Sequence, residues 1–322
     1  MPQDRKQYRG PGKAYRTGIT LLDLARMFPT EESAVQWFER VTWANGRCCG
    51  HCGGLDTRRT KSGKPQPYFC RDCKRYFSLR TGTVMANSKL PIRTWVYAIY
   101  LNCTSLKGVS SMKLHRDLGI TQKSTWHLQQ LIRESFNAES PMSFGGPIEV
   151  DEVWVGGRKP RHLPGRGPIG KTPVVGAKDR ATNQVTAHVI KSPSKGTLHS
   201  FVNNVASDGA EVYTDGSSAY RGRQNHEWVN HSAGEYVKGK MVHTNGIESF
   251  WSLLKRAHKG TFHKMSPKHL QRYVTEFVAR HNIREWDTME QMQEVVARMV
   301  GRQLTYRDLI RDNGLPSGAR SG

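Results

Sequence analysis

Two pairs of cysteines, Cys49-Gly-His-Cys52 and Cys70-Arg-Asp-Cys73, constrain this chain more than any other feature. Each pair is a knuckle short enough to aim two sulfurs at one point, and the seventeen residues between the pairs can return the chain as a hairpin. Four thiolates at that spacing make a closed structural zinc site, whereas a redox pair would need a single CxxC beside a βαβ unit. Cys49, Cys52, Cys70 and Cys73 are therefore the expected ligands of a structural Zn²⁺, with the basic stretch 58–68 as the hairpin. Register makes the adjacent Cys48 the spare, with a swap left open, and His51 reads as solvent-facing. A closed site has no free coordination position, so its task is folding and contact with DNA or protein.

Charge narrows the partners. Lysine and arginine number 49 against 27 acids in 322 residues, a formal net charge of +22. That imbalance is held as affinity for a polyanion, and binding that rests on phosphate contacts falls steeply with salt. No run approaches the ~18 apolar residues of a membrane span. No apolar stretch opens the chain, so the expected location is the cytoplasm, where cysteines serve as metal ligands rather than as a disulfide framework. The length allows two or three domains.

The chain is read in order as a basic arm (1–18), two helices with the zinc ribbon (19–86), a helical region (87–140), a mixed α/β domain (147–285) and a C-terminal helix and tail (286–322). Helices are expected from Leu21 to Phe28, stopped by Pro29, and from Glu31 to about Val41 with Thr30 as N-cap; both should pack onto the ribbon. From Pro91 a helix aligns Ile92, Trp95, Ile99 and Cys103 on one buried face. Ser110–Leu118, the turn Gly119-Ile120-Thr121 and Gln122 to about Arg133 read as helix, turn, helix. As a DNA-reading unit this pair would aim Lys123, Ser124, His127 and Gln130 at a groove; a plain αα-hairpin has the same pattern.

Three acids stand out in the α/β portion. Ile148 to Val155 alternates apolar and acidic residues as a strand does, with Glu149 and Asp151 on one side. Glu211 to Gly216 is a short strand ending at Asp215 before a turn. His243 to Arg256 is an amphipathic helix: Ile247, Trp251 and Leu254 make its apolar face, with Glu248, Ser252 and Lys255 along an adjacent stripe. Each acid alone reads as a solvated surface group. Together, two strand aspartates and a helical glutamate suit a pair of Mg²⁺ ions, which take oxygen ligands and serve phosphoryl transfer. The loop 156–171 carries Arg158, Lys159, Arg161, Arg166 and Lys171 and is suited to track a phosphate backbone. Strands are expected at Val174–Ala177 and Val185–Ile190 and a helix near Thr197–Val205, while the polar, loop-like stretch between Asp215 and Glu248 is rich in histidine and tyrosine (His226, His231, His243, Tyr220, Tyr236). His243 stands out there because it precedes the helix of Glu248.

These segments, TEESAVQWFERVTWANGRCCGHC, YFCRDCKRYFSLRTGTVM, IEVDEVWVGGR, VYTDGSSAY and HTNGIESFWSLLKR, resemble the DDE-type insertion-sequence transposases of bacteria, in the group with an N-terminal zinc ribbon and an RNase H-like catalytic domain. The resemblance covers most of the chain. It implies Asp151, Asp215 and Glu248 as catalytic acids on two Mg²⁺ ions, with Mn²⁺ as a substitute, and Asn245 and Lys255 in support. A carboxylate binds Mg²⁺ better than an amide, which favours Glu248 over Asn245 for the third position. The implied partners are double-stranded DNA, both terminal inverted repeats and target, and further copies of the chain in a homodimer or larger assembly near the nucleoid. The implied activity is cleavage at element ends and joining of the freed 3′-hydroxyls to target DNA. Two alternatives are an RNase H-like nuclease that cuts without joining and a noncatalytic zinc-containing DNA-binding regulator.

Overall fold

A computed structural model of the chain describes residues 17–137, 142–156, 170–215, 217–222, 225–229 and 242–317. The described residues form two compact units, one from Met1–Asn137 with Ile283–Arg311, the other from Ala138–Asn282 with Asp312–Gly322.

The first unit is helical with a small ribbon. α1 (Leu21–Met27) and α2 (Glu31–Thr42) both start at a capping box, on Thr20 and Thr30, whose hydroxyls accept from the N3 backbone. Three strands, β1 (Thr57–Arg59), β2 (Tyr68–Cys70) and β3 (Tyr76–Phe77), form an antiparallel sheet. α2 packs on it as expected: Tyr68 donates to Glu39 Oε1 at 2.6 Å, and Trp43 meets Tyr68 edge-on. α3 (Ile92–Thr104) buries Ile92, Trp95, Ile99 and Cys103. α4 (Ser111–Leu118) ends on Gly119 in the left-handed conformation, and Thr121 caps α5 (Gln122–Ser135), so two helices joined by a tight turn form here, with Ser110 as the cap of the first and the second running two residues past Arg133. α9 (Thr288–Ala297) lies against α2 and α3, and α10 (Tyr306–Ile310) sets the Tyr306 ring edge-on to His127.

The second unit is a five-stranded mixed sheet between helices. Its strands are β4 (Ile148–Val155), β5 (Thr172–Asp179), β6 (Val185–Val189), β7 (Val212–Asp215) and β8 (His226–Val229), ordered β6-β5-β4-β7-β8. β5 runs antiparallel to both β4 and β6; β7 runs parallel to β4, and β8 parallel to β7. α6 (Lys195–Val205) covers the face of Ile148 and Val150. α7 (Asn245–Ala257) and α8 (Leu270–Asn282) cover the face of Val153 and Val155, burying Ile247, Phe250, Trp251 and Leu254. β8 falls within a stretch read as loop. Four residues with two exposed in the middle show no alternation, and the strand exists because β7 offers an edge to pair with.

Candidate functional site

β4 and β7 pair in parallel with Ile148 opposite Val212 and Glu149 opposite Tyr213. Carried two residues further, that register sets Asp151 level with Asp215, their side chains on the same sheet face because strand side chains alternate. It is the face that α7 covers. On β5, Asp151 stands opposite Gly176. A Cβ there would lie 2.6 Å from the Trp251 ring, so the missing side chain lets α7 settle beside Asp151. Glu248 occupies the first turn of α7, half-buried, and its Oε1 accepts from Thr244 Oγ1 at 2.7 Å. Asn245 is the exposed first residue of that helix, and Lys255 lies exposed in its last turn.

Asp151 feels both burial and the neighbouring charges. The Asp151 carboxyl is pushed up to about 7, first by burial and then by the charge of Asp215, with Glu248 adding and Lys255 opposing. Glu152, on the other face of β4, rises to about 8, again chiefly from burial, with Asp215 and Asp151 adding. Beside it the Tyr220 hydroxyl is buried outside hydrogen-bonding geometry, and burial followed by the Glu152 charge raises it well above the usual tyrosine range. Nothing local in the sequence ties Glu152 or Tyr220 to this site, because no short window reveals that both faces of β4 are covered.

Negative charge gathered in a desolvated place is costly without a cation. The donors are hard oxygens, which suits Mg²⁺ or Mn²⁺. Among the described residues the carboxylates do not contract into a set with all ligand atoms within 4.8 Å of one another, as the cysteines do.

The cysteines are closely gathered. Cys49 and Cys73 bring their sulfurs to 3.7 Å, as do Cys52 and Cys70. Four sulfurs each about 2.3 Å from a tetrahedral Zn²⁺ would be about 3.8 Å apart, so the set is spaced for that ion. Cys48 lies outside it, and His51 is exposed with Nε2 3.1 Å from the Tyr76 carbonyl. Around the sulfurs Trp43, Tyr68 and Phe77 make the ribbon's small core.

The residues expected to read DNA divide. Lys123 is exposed at the start of α5, its Nζ 5.2 Å from the Tyr306 ring centroid, and Ser124 is half-buried. His127 is half-buried against Tyr306, and burial lowers its pKa. Gln130 is fully buried, which corrects its assignment as a groove-facing residue. The far half of α5 is a core helix, with Leu128, Gln129, Gln130, Leu131 and Ile132 all buried, and only its first turn faces out. Lys171 precedes β5 close to His258; burial first, then His263, Lys259 and Lys171, hold the His258 pKa below its usual value. Arg158, Lys159, Arg161 and Arg166 lie outside the described residues. No helix among the described residues is long and apolar enough to cross a membrane.

Comparison with known proteins decides the family. Residues 143–282 match the ISXO2-like transposase domain and residues 29–76 the transposase zinc-ribbon domain. Over 286 residues the chain is 31% identical to an uncharacterized protein in transposable element ISH50 of Halobacterium salinarum, spanning 80% of this chain and 93% of that protein. The chain belongs to the ISXO2-like transposases. In this transposase Asp151, Asp215 and Glu248 all fall inside the transposase-domain match, and the four clustered cysteines inside the zinc-ribbon match. The α4–α5 pair lies in neither.

Proposed function

We propose that the chain is a Mg²⁺-dependent DDE transposase that cuts the ends of its element and joins the freed 3′-hydroxyls to target DNA. What carries this reading is the parallel pairing of β4 with β7, whose register, carried two residues past Glu149 and Tyr213, brings Asp151 level with Asp215, with Glu248 on the helix across that face. Three antiparallel strands followed by two parallel ones, with acids on the first and fourth, support the RNase H-like reading of the domain.

Asp151, Asp215 and Glu248 would hold the ions, with Asn245 at the rim of the same helix turn. When bound, paired Mg²⁺ ions activate the attacking oxygen and stabilise the leaving one. The chain's own part is to desolvate that point, hold the three carboxylates on one side and present Lys255 to a phosphate seven residues along α7. In the first step water attacks phosphorus and the bond to the 3′-oxygen breaks, leaving a 3′-hydroxyl. In the second that hydroxyl attacks target DNA and releases another 3′-oxygen, so one site serves both steps. The four cysteines would hold Zn²⁺ in the ribbon. Double-stranded DNA is the partner, and pairing of two element ends implies a homodimer or larger assembly; Lys123 and Lys171 would be backbone contacts.

The test is incubation of purified protein with labelled terminal-repeat DNA and a target duplex in Mg²⁺ or Mn²⁺. Asp151-dependent 3′ cleavage followed by joined products is the expected result. Cleavage without joining would select the nuclease, and DNA binding without either, unchanged in cells by Asp151→Ala, the regulator.

A further inference from the structure

α7 carries Glu248, yet it lacks an ordinary cap. Its N-cap residue, Thr244, is fully buried and makes no side-chain cap bond; its hydroxyl instead donates to Glu248 Oε1 at 2.7 Å. The acceptor at this helix start comes from ninety-eight residues upstream. Glu149, only 1% exposed, reaches across from β4, and its Oε2 accepts from the Ile247 backbone N–H at 2.9 Å. A carboxylate there also opposes the positive end of the helix dipole.

The carboxylate is held from its other side. Arg180, just past β5, donates from Nε to Glu149 Oε1 at 2.7 Å and from Nη2 to the His243 carbonyl at 2.6 Å. The same Nη2 lies 2.9 Å from His243 Nδ1, and its guanidinium stacks 4.6 Å above the Tyr213 ring centroid. One arginine therefore ties β4, β7 and the residue before the N-cap of α7 into a single frame. Gly246 completes it: a Cβ there would meet Glu149 Oε2 at 2.8 Å and Lys178 Nζ at 3.0 Å, so a larger residue would push the carboxylate off its place at the helix start.

Glu149 is on the same face of β4 as Asp151, two residues away. We infer that Glu149, anchored by Arg180, is a positioning residue: by capping α7 it releases the Thr244 hydroxyl to hold Glu248, and so sets the glutamate's placement relative to Asp151. The inference rests on the transposase reading of the acids. Glu149 does no chemistry itself; the strand that carries the first acid also holds the helix that carries the third.

The test uses full-length protein in three variants, Glu149→Gln, Thr244→Val and Thr244→Ser, beside wild type and Asp151→Asn. Hydrogen exchange of peptides spanning 244–250 reads the cap, Mn²⁺ titration followed by electron paramagnetic resonance reads the site, and cleavage of terminal-repeat DNA reads the reaction. In Glu149→Gln, exchange at the start of α7 is expected to accelerate at least tenfold, with Mn²⁺ affinity reduced about tenfold and cleavage restored in part by excess Mn²⁺. Thr244→Val should lose Mn²⁺ affinity with the cap still protected, and Thr244→Ser should behave as wild type. Faster exchange with unchanged Mn²⁺ affinity, or no change in exchange, would overturn the inference. If wild type and Asp151→Asn bind Mn²⁺ equally and neither cuts, the transposase reading itself fails, and the positioning role is overturned with it.

Discussion

The Trp251 indole fills the space that a side chain on Gly176 would occupy, 2.6 Å from where its Cβ would stand, and Gly176 is the β5 partner of Asp151. The helix with the third acid thus sits close against the strand pair with the first two because one residue of β5 has no side chain. Gly176→Ala forces the ring or the helix to move, and overpacking of this kind costs about 1–3 kcal/mol. A lower melting temperature for the α/β unit, and a fall in cleavage larger than in DNA affinity, are the expected outcomes of calorimetry and a gel-shift assay.

Asp151 gives a pH prediction. Burial, and then the Asp215 charge, push its folded carboxyl up to about 7, above the unfolded value of ~3.9. Between those values the folded chain binds a proton that the unfolded chain has lost, so this group's contribution to stability declines as pH rises from about 4 to about 7. Without metal, Asp151→Asn should therefore melt several degrees above wild type at pH 8 and equal to it below pH 4. The same variant should lose cleavage and keep DNA binding. Residual cutting by the purified variant would refute the assignment.

The ribbon should answer to metal. Its core is Cys49, Cys70 and Cys73 with Trp43, Tyr68 and Phe77, too little apolar surface to hold without an ion. Chelation or Cys70→Ser is expected to release one Zn²⁺ per chain and to shift Trp43 fluorescence. Cys48→Ser should leave the metal content at one, as measured by elemental analysis.

Lys123 and Gln130 separate contact from packing. Lys123 is exposed in the first turn of α5 and Gln130 fully buried in its third. Lys123→Ala is expected to weaken DNA binding across sequences and to reduce the salt slope by about 1. Gln130→Ala should leave the slope unchanged and register only in the thermal melt.

Much of this arrangement was legible in the residues. The Ile148–Val155 strand, the caps at Thr30 and Thr121 and the apolar face of α7 follow from periodicity and capping chemistry, which act within a few residues. β8 was not legible, because a four-residue strand with an exposed middle has no pattern of its own. Gln130 was misread for a related reason: a polar side chain on a helix reports its chemistry but not whether a neighbour covers it.

By itself the sequence determined the thiolate spacing, the positive charge, the helix caps and apolar faces, and which residues carry carboxylates, since these depend on local geometry and composition. Only the tertiary structure decided that Asp151 and Asp215 share a level, that the Glu152 and Tyr220 side of β4 is desolvated, and that Glu149 caps a helix ninety-eight residues away. The reason is physical: strand register, burial and long-range capping are properties of surfaces brought together by folding, and no short window of residues contains both surfaces.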